Sequence, residues 1–167
     1  MPSHVDEQVK KILFEALSEA AQREKDRVES LSKKANFSKK ERKIQNAYVS
    51  RTISGVYDCV SKQVYTATSS SRPQLMPAEI HPILKNKLPL GGSLEAGRPP
   101  EVCAEFKACN LALYARKDAR LEDLTVATVM TTDMSHKTRC ANCLETTDGA
   151  TVITDNEYIS GDDNEAL

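Results

Sequence analysis

Two short cysteine-bearing motifs set the strongest condition on the fold of this 167-residue chain: Cys103-Ala104-Glu105 and, well downstream, Cys140-Ala141-Asn142-Cys143. If their thiols act together, the fold has to bring two distant stretches of chain side by side. Five cysteines in all, an odd number, argue against a disulfide framework and for metal or catalytic use. Each half of the constellation is workable locally. Side chains near a helix start lean toward its N-terminal end, where Cys103 and Glu105 can reach one point. Residues 140 and 143, three apart, can present both sulfurs on one side of a turn. The positive end of a helix dipole at Cys103 favours the thiolate, the form that binds metal.

Zinc is commonly four-coordinate, and a catalytic site supplies three protein ligands and leaves the fourth position to water, a count that three cysteines meet. Other readings stand beside this one. A structural zinc site needs a fourth protein ligand, for which Cys109, Cys59 and His136 are candidates. A redox C-x-x-C pair needs no third cysteine with a carboxylate two residues on. Cys103 as a thiol nucleophile, with His81 or His136 as base, leaves the paired cysteines idle.

The texture along the chain alternates. From Val5 to about Ala35, Val9, Ile12, Leu13, Ala16, Leu17, Ala20, Val28 and Leu31 recur at the spacing of an amphipathic helix. Ser38 with Glu41 three residues on forms a capping box, predicting a short second helix that carries Ile44 and Ala47 inward. Val49 to Tyr57 and Val64 to Thr68 are rich in β-branched and aromatic residues and predict a hairpin. Residues 69 to 100 hold six of the seven prolines and predict loop around a short apolar patch at Ile80 to Leu84. After Pro99-Pro100 a helix is expected over Glu101 to about Arg116, with Val102, Phe106, Cys109, Ala112 and Leu113 inward. Leu124 to Met130 reads as a buried strand, residues 140 to 143 as a turn or helix, and Ala150 to Thr154 as a last strand. This order predicts an α/β fold with a mixed sheet.

The pairing of C-x-E with C-x-x-C matches the zinc nucleobase deaminase signature in its three-cysteine form. The surrounding residues, Cys-Ala-Glu-Phe-Lys-Ala-Cys-Asn-Leu-Ala-Leu over 103–113 and Arg-Cys-Ala-Asn-Cys over 139–143, resemble the YwqJ-like branch of the cytidine deaminase-like superfamily, found among polymorphic toxins. The resemblance covers about residues 48 to 155, and the upstream hairpin falls where that superfamily places its first two strands. It implies a three-layer α/β/α sandwich with a mixed sheet of about four to five strands, to which this chain adds N-terminal helices. It also implies Zn²⁺ on Cys103, Cys140 and Cys143, and a zinc-activated water attacking the amidine carbon with Glu105 as proton shuttle. The loop carrying His136, Lys137 and Arg139 would contact substrate, with Asn110 and Tyr65 as weaker candidates. Arg139 replaces the usual proline before the first paired cysteine, which would loosen the turn and set a cation beside the metal. No convincing fifth strand follows Thr154, since only Glu157-Tyr158-Ile159 precedes the acidic end.

Three segments follow: an N-terminal helical extension packed on the core (1–46), a deaminase domain (47–160) and an acidic tail (161–167). No apolar run approaches the roughly 20 residues of a membrane span, and the start shows no basic stretch followed by an apolar one. The expectation is a cytoplasmic protein, or a toxin exported by a route the sequence does not carry. The net charge of −1 conceals an asymmetry: residues 1–51 carry 12 Lys and Arg against 8 acids, and residues 145–167 carry 7 acids and no Lys or Arg. The basic run Lys33, Lys34, Lys39, Lys40, Arg42 and Lys43 can attract phosphate, although such runs are more often solvated helix faces. With eight aromatics and no Trp, a stacking platform for single strands is not visible. Expected partners are nucleic acid, single- or double-stranded, or a free nucleoside, with cytosine in nucleic acid favoured. The N-terminal helix is also a surface for a partner or immunity protein. The alternative to an enzyme is a non-catalytic binding or effector protein with a structural cysteine-rich zinc site.

Overall fold

The computed structural model describes residues 6–32, 51–69, 77–88 and 103–155. Helix α1 (Glu7–Ser32) is followed by strands β1 (Thr52–Asp58) and β2 (Gln63–Thr68), a short helix α2 (Pro82–Lys85), helix α3 (Ala104–Ala115), strand β3 (Leu124–Met130), helix α4 (Ala141–Thr146) and strand β4 (Thr151–Val152). The strands form one mixed sheet in the order β2-β1-β3-β4, with β1 antiparallel to both neighbours and β3 parallel to β4. This is a mixed α/β fold. No helix among the described residues is long and apolar enough to cross a membrane.

Asp58 makes the hairpin turn. Its Oδ1 accepts from the Val60 and Ser61 amides at 2.9 and 3.4 Å, and Lys62 takes the left-handed φ of 59° that reverses the chain. The strands then pair in register from Ile53 opposite Thr68 to Asp58 opposite Gln63.

Side chains alternate across β1 and β3, so each face of the sheet receives its own cover. On one face Ile53, Tyr57, Ala127 and Val129 meet Leu13, Leu17, Ala20 and Ala21 of α1. Gly55 lies on this face because the helix comes close: a Cβ there would stand 3.2 Å from Leu13 Cδ2 and Leu17 Cδ2. On the other face Val56 and Val126 meet Phe106, Ala108, Cys109, Ala112 and Leu113 of α3, with Ile80 and Leu84 at the margin. Ala104, Ala108 and Ala112 recur every fourth residue and are fully buried, so α3 lies close on the strands. Its axis delivers Cys103, at its start, to the sheet.

Several expectations change. The predicted helix at 101–116 begins at Ala104, with Cys103 as its N-cap residue in extended conformation. The last strand is two residues rather than five. The chain leaves the ladder after Val152, and Thr154 meets the sheet through its side chain, its Oγ1 accepting from the Thr128 amide at 3.2 Å. The predicted helix after Ser38, the basic run 33–43, most of the 69–100 loop, the Glu157–Ile159 stretch and the acidic tail lie outside the described residues.

Candidate metal centre

Cys103 and Cys140 hold equivalent positions, each the extended N-cap residue of a helix, with φ of −71° and −73°. The residue that stops being extended and starts being helical aims its side chain across the helix mouth, and α3 and α4 open toward the same place. Cys143 follows on the first turn of α4. The three sulfurs lie within 4.8 Å of one another, and Cys103 Sγ is 3.7 Å from Cys140 Sγ. Three thiolates at zinc–sulfur distances of about 2.3 Å in a tetrahedron stand about 3.8 Å apart, so this spacing fits a metal ion held by all three. Among the described residues no other group of His, Cys, Asp or Glu converges in this way.

The electrostatics of the cluster follow from its crowding. The Cys140 sulfur accepts from its two cysteine neighbours and from the Cys143 and Asn142 amides, which holds its thiol far below the ordinary range, at about 2. Donation to Cys140 pushes Cys103 up to about 12, and the same sharing, with burial, raises Cys143.

Glu105 is 5% exposed and stands beside the sulfurs, its Oε2 accepting from Cys143 Sγ at 3.6 Å. Burial pushes its carboxyl above the usual range, and the charge at Cys140 adds to this. Its own amide, the Lys137 ammonium and the Cys143 thiol pull the other way without reversing it. A carboxyl raised by burial next to a cluster that could hold a metal ion is suited to hold and release a proton.

The remaining sequence candidates separate. Lys137 is half-buried and its charge reaches Glu105, while its amide donates to Thr128 O at 3.0 Å. His136 bridges to Val129, so its ring emerges on the α1 face and stacks on Phe14 with ring centroids 5.1 Å apart. That is the face of the sheet away from the cysteines. Arg139 does not leave the turn loose: its Nε donates to Asp155 Oδ2 at 2.6 Å, its amide to Asp155 Oδ1 at 2.9 Å, and its guanidinium to Thr147 Oγ1 at 3.1 Å. In place of a rigid proline the chain uses an ion pair to brace the approach to Cys140, and Asp155 balances the Arg139 charge.

Asn110 is buried and clamps the segment before α2, accepting from the His81 amide and donating to Glu79 O. His81 caps α2 through Nδ1, which accepts from the Ile83 amide, and its ring packs edge-on against Tyr114. Cys109 is fully buried, and desolvation pushes its thiol up to about 12, as befits a core residue. Cys59 is exposed in the hairpin turn, its Sγ 3.6 Å from Thr125 Oγ1.

Two residues at the centre were not singled out from sequence. Asp155 gives no local signal, because its partner lies 16 residues away. Lys107 was legible: it follows Cys103 by four residues, the spacing that stacks two side chains on one helix face. No protein-family model matches the chain, and none of the curated proteins or solved structures compared with it matches either.

Proposed function

We propose that this protein is a zinc-dependent hydrolytic deaminase of nucleobases, acting on cytosine in nucleic acid. The observation that carries the proposal is the meeting of Cys103, Cys140 and Cys143 with the buried Glu105 carboxyl in contact with one of them. Those four residues are the ones that the three-cysteine deaminase signature requires, in the same order along the chain. The hairpin before the C-x-E helix, and the strand between the two motifs, support the same reading. Helices covering both faces of the sheet are consistent with the three-layer cytidine deaminase-like sandwich, and we extend the proposal to that fold.

Zinc, when bound, supplies an acidified water as nucleophile. Glu105 would take one proton from that water and give it to the ring nitrogen as the carbon–oxygen bond forms, then take the second from the added hydroxyl and give it to the amino group as the carbon–nitrogen bond breaks. Water and the aminopyrimidine are consumed, and the oxo base and ammonia are released, so the carboxylate ends as it began. Burial suits Glu105 to this cycle, because a carboxyl whose pKa is raised is a better proton acceptor than an exposed one. Lys137, whose charge reaches the same carboxyl, adds a cation that favours an anionic polynucleotide over an uncharged nucleoside.

The test is incubation of the zinc-loaded protein with single- and double-stranded DNA, RNA and free nucleosides, followed by mass measurement of the products. Uracil in a polynucleotide is the expected result. Inosine instead would move the substrate to adenine, and no deaminated product from any of the four would refute the assignment.

A further inference from the structure

A short helix is a poor support for two metal ligands unless its ends are fixed, because ordering the first turn costs more than its few hydrogen bonds return. Helix α4 is six residues long, and it carries Cys140 as its N-cap and Cys143 in its first turn. Its two ends are tied to each other and to the sheet by one chain of contacts. Arg139, the residue before Cys140, reaches along α4, and its Nη1 donates to Oγ1 of Thr147, the C-cap residue, at 3.1 Å. Thr147 Oγ1 in turn donates to the Cys143 carbonyl at 2.6 Å. On the other side Asp155 holds Arg139 twice: Oδ1 accepts from the amide at 2.9 Å and Oδ2 from Nε at 2.6 Å. Asp155 follows Thr154, whose Oγ1 accepts from the Thr128 amide within β3. The Arg139 and Asp155 side chains are only 15% and 13% exposed, so water competes poorly for these bonds. What the chain of contacts grips is backbone: the amide just before Cys140 and the carbonyl of Cys143.

We infer that Asp155 is a positioning residue of the metal centre: by clamping Arg139, and through it Thr147, to the segment anchored on β3, it fixes α4 so that the Cys140 and Cys143 sulfurs stand ready beside Cys103. The gain is preorganisation, since ligands that are already placed lose less conformational freedom when the metal enters. This role rests on reading the three cysteines as a metal site, not on the identity of the substrate.

The test is zinc affinity, measured on the full chain by competition with a chromophoric chelator. Asp155→Ala should bind zinc about tenfold more weakly, the lower end of what outer partners of metal ligands contribute. Arg139→Ala should lose about as much, and the double variant no more than either, because the two side chains act as one clamp. Asp155→Asn keeps an oxygen for the Arg139 amide but gives up the ion pair, and it should also bind zinc more weakly than the parent. A residue that serves only the scaffold would leave the zinc affinity of the folded protein where it was. Circular dichroism of the metal-free proteins checks that each is folded, and if Asp155→Ala is not, Asp155→Asn carries the comparison. Asp155 loses this role if its folded variant binds zinc as tightly as the parent, or if the losses of the two single variants multiply in the double one. It loses it equally if Asp155→Asn fails to fold without metal, which would assign the residue to the scaffold, or if the metal-free parent is itself unfolded, since no ligand is then placed in advance. A parent chain that binds no zinc strikes the metal reading itself, and is distinguishable because the variants are then never at issue.

Discussion

Glu105 is expensive to bury and has no cation in hydrogen-bonding contact among the described residues, which is the condition in which a carboxyl is useful as a proton carrier and poor as a structural group. Replacing it with Gln keeps shape and volume and removes the proton. Glu105→Gln should lower kcat about 10³-fold, within the range of general acid–base contributions, and leave zinc content and fold unchanged. Steady-state kinetics beside metal analysis checks both halves, and a variant that loses its zinc would make Glu105 a ligand instead. At this scale the sequence was informative where chemistry depends on short spacing. C-x-E and C-x-x-C are each set by one helix turn, so their geometry is local. It was uninformative where a partner comes from elsewhere. His136 lies three residues from the cysteine-bearing turn that begins at Arg139, yet one bridge to Val129 turns it to the opposite face. Arg139 was read as loosening the turn and setting a cation beside the metal, because Asp155, which holds it, is distant in sequence.

Among the elements, α1 and β1 are joined by a contact that periodicity alone does not reveal. Leu13, Leu17 and Ala20 mark the buried stripe of α1 in the sequence, but Gly55, the residue that lets the stripe approach, looks like an arbitrary weak point in a strand. Gly55→Val should force Leu13 and Leu17 aside and cost about 1–3 kcal/mol of stability, as overpacking in a well-filled core does; a denaturant titration measures it, and an unchanged midpoint would mean that α1 does not sit on the sheet. The strand Leu124–Met130 was legible to the residue because β-branched side chains fill a fully buried strand. Strand β4 was overextended, because Val152-Ile153-Thr154 has strand-like residues whose last member pairs by side chain rather than by backbone.

Across the whole molecule, one ion network ties the end of β1 at the hairpin to the end of α3 and the start of β3. Arg116, just after α3, donates to Asp58 at the end of β1 and to Asp123 before β3, at 2.9 and 2.8 Å. Burial pushes the Asp58 carboxyl up, but the Arg116 guanidinium and the Val60 and Ser61 amides outweigh it and leave it below its ordinary value. Arg116 likewise holds Asp123 down. Both folded values lie below the unfolded ones, so this stabilisation is complete above the ordinary carboxyl pKa of 3.8 and is lost as pH falls through the depressed folded values. Unfolding free energy measured against pH should fall in that acid window. Asp58→Asn should cost about 2 kcal/mol at neutral pH and flatten the acid slope, and a slope equal to that of the parent would remove Asp58 from the network.

The meeting of three sulfurs from two helix starts around one ion is the claim on which the metal chemistry and the role of Glu105 both depend. Native mass spectrometry of the purified chain, after dialysis against a weak chelator, tests it most directly. The parent should retain one zinc per chain, and Cys103→Ser, Cys140→Ser and Cys143→Ser should each lose it. A parent that comes through the same dialysis without metal, or three serine variants that all keep a full equivalent, would contradict the account.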